Sequence, residues 1–136
     1  MKLFLPCKRA TLLVPSGTAR NPNLKHLHIL LTDAYGEAQE NLIVGVTTVY
    51  PKVPHDDACY LYPGDHDFIK HQSYVLYSEA QIVAASKLTK AIHEGIFDSK
   101  GTLSEEAFAR VCYGVEKSQL ITPKMLRFYL AAVGQI

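Results

Sequence analysis

The chain has 136 residues, 48% of them hydrophobic and 20% charged, with 14 Lys+Arg against 13 Asp+Glu and a formal net charge of +1. A chain of this size buries roughly two thirds of the surface its unfolded form exposes, so it needs no disulfide or metal to fold, and its balanced charge gives no global case for a polyanionic partner. No apolar run approaches the roughly 20 residues of a membrane span, the segment Met1 to Arg9 lacks the apolar core of a signal peptide, and Cys7, Cys59 and Cys112 show no CxxC spacing, so a reduced cytoplasmic protein without membrane contact is expected.

In chain order, Thr11 to Val14, His26 to Thr32, Asn41 to Tyr50, Ala58 to Tyr62 and Ser73 to Tyr77 are short segments rich in apolar, β-branched or aromatic residues, and they read as strands. Turn chemistry separates them at Pro15-Ser16-Gly17, Asn21-Pro22-Asn23, Asp33 to Gly36, Pro51 to Pro54 and Pro63-Gly64-Asp65. No helix-length crossover lies between these strands, which predicts a small barrel rather than a βαβ sheet. Gln81 to Val83 reads as a short last strand, followed by a helix from about Ser86 with Leu88 and Ile92 on one face. Thr102 and Glu105 have capping-box spacing ahead of Phe108, Val111, Cys112 and Val115, which follow helical periodicity. Thr122-Pro123 opens a further helix through Leu126, Tyr129, Leu130 and Val133, with Gly134 as its stop. The expected architecture is one domain over 1–136, with a β-barrel over 1–85 and two to three helices over 86–136 packed on it. It contains no internal repeat or low-complexity tract.

Charge is unevenly placed. Through residue 52 six basic residues, including Arg20, Lys25 and Lys52, face three acidic ones, whereas residues 53–70 hold four aspartates and Lys70. Arg20, Lys25, His26 and His28 on one loop and strand entrance would hold phosphates through charge-assisted hydrogen bonds; a solvated loop is the plainer alternative. Thr47 and Thr48 are neighbours on a strand, so one faces inward and the other is available to a cleft. Tyr60 and Tyr62 share the strand face opposite Cys59 and Leu61, where an exposed pair would stack the bases of a single strand. His55, Asp57, Cys59, His66 and His71 supply metal-ligating residue types, but their spacing matches no standard site, and turn chemistry accounts for them. No G-x-S-x-G elbow, Gly-rich phosphate loop or dinucleotide fingerprint occurs, so no hydrolase triad, cofactor or resident metal is expected.

The run Asn21 to Thr32, the strand Leu42 to Thr48 and the segment Ser73 to Ile82 resemble successive blocks of the MazF/PemK toxins, over roughly residues 8 to 110. The resemblance implies an SH3-like barrel with C-terminal helical decoration, usually a homodimer, and metal-independent cleavage or binding of single-stranded RNA. It implies a cleavage site at Lys25, with Arg20 nearby, and at Thr47 or Thr48. The usual Gly-Asp-Ile opening is replaced by Pro6 to Leu13, and lysine stands where the family has arginine. Lysine grips a phosphate as a point charge rather than bidentately. Cleavage would proceed by 2′-hydroxyl attack on the adjacent phosphate, with His26 or His28 as base, Lys25 or Arg20 stabilising charge and Thr47 or Thr48 donating to the phosphate; Lys52, Tyr60 and Tyr62 would contact the RNA. The alternatives are a non-catalytic module of the same fold that binds an antitoxin-like protein, and a metal-dependent hydrolase using His55, Asp57, His66 and His71.

Overall fold

The computed structural model describes residues 4–15 and 24–136. Its elements are β1 (Ala10–Pro15), β2 (Lys25–Leu30), β3 (Glu40–Thr48), β4 (Tyr60–Leu61), β5 (Ser73–Ala84), α1 (Ala85–His93), β6 (Asp98–Thr102), α2 (Glu105–Lys117) and α3 (Pro123–Ala132). The strands form one six-stranded sheet in the order β4-β5-β3-β2-β1-β6, and all pairings are antiparallel. The protein is therefore mainly β sheet with three C-terminal helices.

Side-chain alternation divides the sheet into two apolar faces. Leu13, Leu27, Ile29, Leu42, Val44, Val46, Val75 and Tyr77 point to one face and pack with Ala107, Val111 and Val115 of α2 and Tyr129 of α3. Ala10, Leu12, Leu30 and Ile43 point to the other and pack with Leu88 and Ile92 of α1. Helices thus cover both faces, but the short α1 leaves part of its face open.

Several boundaries differ from the sequence reading. The segments Ser73 to Tyr77 and Gln81 to Val83 are one strand, β5, whose register against β3 shifts between Ile43 and Gly45. The shift moves the inward parity from Val75 and Tyr77 to Ala80, which lets one long strand serve a curving sheet. Only Tyr60 and Leu61 of the expected fourth strand pair. The stretch after residue 86 is not wholly helical: Asp98–Thr102 is strand β6, which pairs with β1. Its sequence, Asp-Ser-Lys-Gly-Thr, carries no apolar alternation, because its outward side chains are exposed at an edge. Thr102 consequently belongs to β6, and Ser104 caps α2 instead, its side chain accepting from the Ala107 N–H at 3.2 Å. Thr122 and Pro123 do occupy the first positions of α3, and Gly134 follows its end at φ +80°.

The two edge strands, β4 and β6, do not pair with each other. The loop after β4 nevertheless reaches across to β6, where His66 Nε2 lies 2.9 Å from the Lys100 carbonyl and 2.9 Å from Thr11 Oγ1. The sheet is curled enough for one loop to span its ends.

Candidate functional site

The uncovered part of the α1 face is a groove of about 1050 Å³ lined by β1, β2, β3, β5, α1 and the segment after α1. Val14, Ile43, Val83, Leu88, Ile96 and Phe97 form apolar walls, and His26, His28, Thr47, Glu40, Glu79, Gln81 and Lys87 supply polar atoms. Strand alternation explains the selection. Leu27 and Ile29 point into the α2/α3 core, so His26 and His28 must point to the opposite face; Thr47 follows for the same reason, because Val44 and Val46 point into that core.

His28 is the best defined of these groups. It pairs in register with Gly45 across β2 and β3, and a Cβ on Gly45 would stand 3.2 Å from His28 Nε2. The glycine thus lets the imidazole lie close over the neighbouring strand. Its Nδ1 is 3.1 Å from the His26 carbonyl. A carbonyl only accepts, so Nδ1 carries the proton and Nε2 of the neutral ring presents a lone pair. Burial holds the His28 imidazole below its ordinary value of 6.5 and outweighs the opposing pull of the His26 carbonyl; nearby His26 lowers it further, while Glu79 raises it. A neutral imidazole with an available lone pair is a proton acceptor at neutral pH.

The remaining expected site residues fall elsewhere. Lys25 points to the other face of β2, where its Nζ is 2.7 Å from Asp98 Oδ2 of β6. Thr48 lies on that same face of β3 by alternation with Val46. The sheet therefore separates Lys25 and Thr48 from His26, His28 and Thr47. Arg20 lies outside the described residues. Lys52 sits exposed in a turn at φ +67° and lines no part of the groove. Tyr60 and Tyr62 line a separate, smaller hollow with Arg110, Tyr113 and Lys117. Tyr62 is exposed there, whereas the Tyr60 hydroxyl is 2.8 Å from His55 Nε2. The tyrosines thus line a hollow against α2, apart from the groove that holds His26, His28 and Thr47, and Lys25 is paired with Asp98.

His55, Asp57, His66 and His71 are likewise dispersed. His55 is held by the Val53 carbonyl and Tyr60, His66 by Thr11, Lys100 and Phe68, and Asp57 and His71 are exposed. Among the described residues no group of three His, Cys, Asp or Glu side chains is placed to hold a metal ion. Burial pushes the Cys59 thiol up to about 11 and raises that of Cys112, so both remain protonated packing groups. No described helix is long and apolar enough to cross a membrane.

Gly45, Glu79 and Lys87 were not singled out by sequence. Gly45 inside an apolar strand is a readable sign of close approach, whereas Glu79 and Lys87 look like ordinary surface charges until the fold brings Glu79 near His28 and sets Lys87 on the groove wall. No family model matches the chain, and no curated protein matches it in sequence.

Proposed function

We propose that the protein is a MazF/PemK-like, metal-independent endoribonuclease with an SH3-like curled barrel, and that single-stranded RNA is cut in the groove over β2 and β3. The observation that carries this reading is the neutral His28 ring, seated on Gly45 with Nε2 available and Thr47 on the same face. Metal-free cleavage by a neighbouring 2′-hydroxyl requires a base, a cation and a hydrogen-bond donor for the phosphate. His28 serves as the base, Thr47 donates to a phosphate oxygen, and Lys87 on the groove wall supplies positive charge. Lys87 takes this role from Lys25, whose charge is committed to Asp98 on the other face.

The test is incubation of the purified protein with a long single-stranded RNA in EDTA, with mapping of new ends. The wild type cleaves, and His28→Asn loses on the order of 10²- to 10⁴-fold in rate while keeping its thermal midpoint, the range expected for loss of a general base. Absence of cleavage and of low-salt RNA binding by folded wild type overturns the reading. A second reading then takes its place, a non-catalytic groove for an antitoxin-like protein segment. It is favoured by the apolar walls and by Glu79, whose charge repels a polyanion.

A further inference from the structure

Two histidines, not one, occupy this face of β2. His26 and His28 are two residues apart on one strand, so their Cβ atoms are separated by roughly 6.6 Å along it. Both line the groove, and both are half-buried. Their surroundings differ. His28 is locked over Gly45 with its Nδ1–H on the His26 carbonyl, whereas His26 lies nearer the strand end, opposite Val14 in the β1 register. The other charged groups on the elements packed against this face are Glu79 of β5 and Lys87 of α1; Glu40, at the start of β3, lines the groove but has the parity of Leu42 and Val44 on the opposite face, and the β1 residues lining the groove, Val14 and Pro15, are uncharged. An ammonium group is a poor proton donor at neutral pH, so Lys87 can stabilise charge but not protonate a leaving alkoxide, whereas imidazole exchanges protons in this range.

We propose that His26 and His28 divide the two proton transfers of phosphodiester cleavage, with His28 as the base for the 2′-hydroxyl and His26 as the acid for the leaving 5′-oxygen. The assignment rests on the RNA-cleaving reading above. The 2′-O–H proton passes to His28 Nε2 as the 2′-oxygen forms its bond to phosphorus. The P–O5′ bond breaks, and the proton of the His26 imidazolium passes to O5′. The products are a 2′,3′-cyclic phosphate on one strand and a free 5′-hydroxyl on the other. Proton exchange with solvent then returns both rings to their starting states, so no oxidant, metal or further reactant enters. Both rings project from one face of β2 into the same groove, two residues apart, so one bound phosphodiester can meet both.

The experiment compares an RNA oligonucleotide containing the mapped cleavage step with the same oligonucleotide carrying a bridging 5′-sulfur at that step. A thiolate leaves without being protonated. On ordinary RNA both His26→Asn and His28→Asn lose about 10²- to 10⁴-fold in rate. On the sulfur-bridged RNA His26→Asn recovers to within about tenfold of wild type, while His28→Asn stays as slow as before, because loss of an acid is rescued by the better leaving group and loss of a base is not. His26→Gln, monitored with His26→Asn by thermal melting, guards against misfolding of a single variant. Equal loss for His26→Asn on both substrates, or loss on neither, overturns the division of roles while leaving the RNA-cleaving reading intact. Failure of wild type to cut either substrate overturns both.

Discussion

At His28 a pH dependence follows directly from burial. Its folded value lies below 6.5, so in the acid range the unfolded chain binds more protons at this site than the folded one. The stability contributed by neutral His28 is complete above the unfolded value and is lost as pH falls from about 6.5 through the lower folded value. Urea unfolding of wild type is therefore expected to show stability falling on acidification, and His28→Asn is expected to flatten that slope specifically below pH 6.5. An unchanged slope would mean that the ring is not desolvated. Gly45→Ala probes the same seat from the other strand: a Cβ 3.2 Å from His28 Nε2 forces the ring to move. Under the proposed RNA-cleaving function, the expected result is a loss of cleavage exceeding any loss of stability, read by comparing rate with thermal midpoint. The residues of this face were legible but their grouping was not: the sequence reading placed Lys25 and either threonine in one site with His26 and His28, although a period of two sets Lys25 and Thr48 on the opposite face. What was hidden was the partner of Lys25, because Asp98 sits in a polar stretch that does not read as a strand and becomes one only by pairing with β1.

Between elements, the contact of α2 with β5 turns on one glycine. Tyr77 is fully buried and donates from its hydroxyl to the Val111 carbonyl at 2.6 Å. A Cβ on Gly114 would collide with that hydroxyl and stand 3.0 Å from Tyr77 Cζ and 3.1 Å from Cys59 Cβ. Helix propensity alone favours alanine at a mid-helix glycine by up to about 1 kcal/mol. Here packing prevails, and Gly114→Ala is expected to destabilise by about 1–3 kcal/mol in denaturant unfolding. Adding Tyr77→Phe removes the nearest atom but not Cζ or Cys59, so the double variant should cost less than the sum of the singles; simple additivity would refute the contact. The sequence spacing Phe108, Val111, Cys112, Val115 located this helix and its apolar side. The fully buried stripe is instead Ala107, Val111, Gly114 and Val115, with Phe108 and Cys112 only partly covered. Small residues mark the true centre of the contact because Tyr77 fills the space, and a hydrophobicity pattern undervalues both Ala107 and Gly114.

Across the whole molecule, the sheet's open order is held in a curl by polar contacts from the loop after β4. Arg110 of α2 anchors that loop, donating to the Tyr60 carbonyl at 2.7 Å and to Asp65 Oδ1 at 2.8 Å. His66 completes the span. The Phe68 N–H donates to His66 Nδ1 at 3.0 Å, so the ring proton lies on Nε2 and is shared between Thr11 Oγ1 and the Lys100 carbonyl. Thr11, buried within β1, in turn donates to Lys100 at 2.8 Å. One neutral imidazole thus joins the loop from one edge strand to β1 and β6 at the other edge. The sequence marked Gly64 to His66 as turn and ligand chemistry but could not show this role, which depends on β6. Removing the ring leaves the Thr11 hydroxyl satisfied as a donor, so His66→Ala should cost about 1–3 kcal/mol, chiefly through the lost bonds to Phe68, Thr11 and Lys100. Because these bonds link the ends of the sheet, the loss should be localised. Amide exchange is expected to quicken in β6 and in residues 62–72 while remaining slow in β3 and the paired part of β5. Uniform acceleration over all strands would show that His66 supports global stability alone and that the curl is maintained by the apolar cores on the two faces.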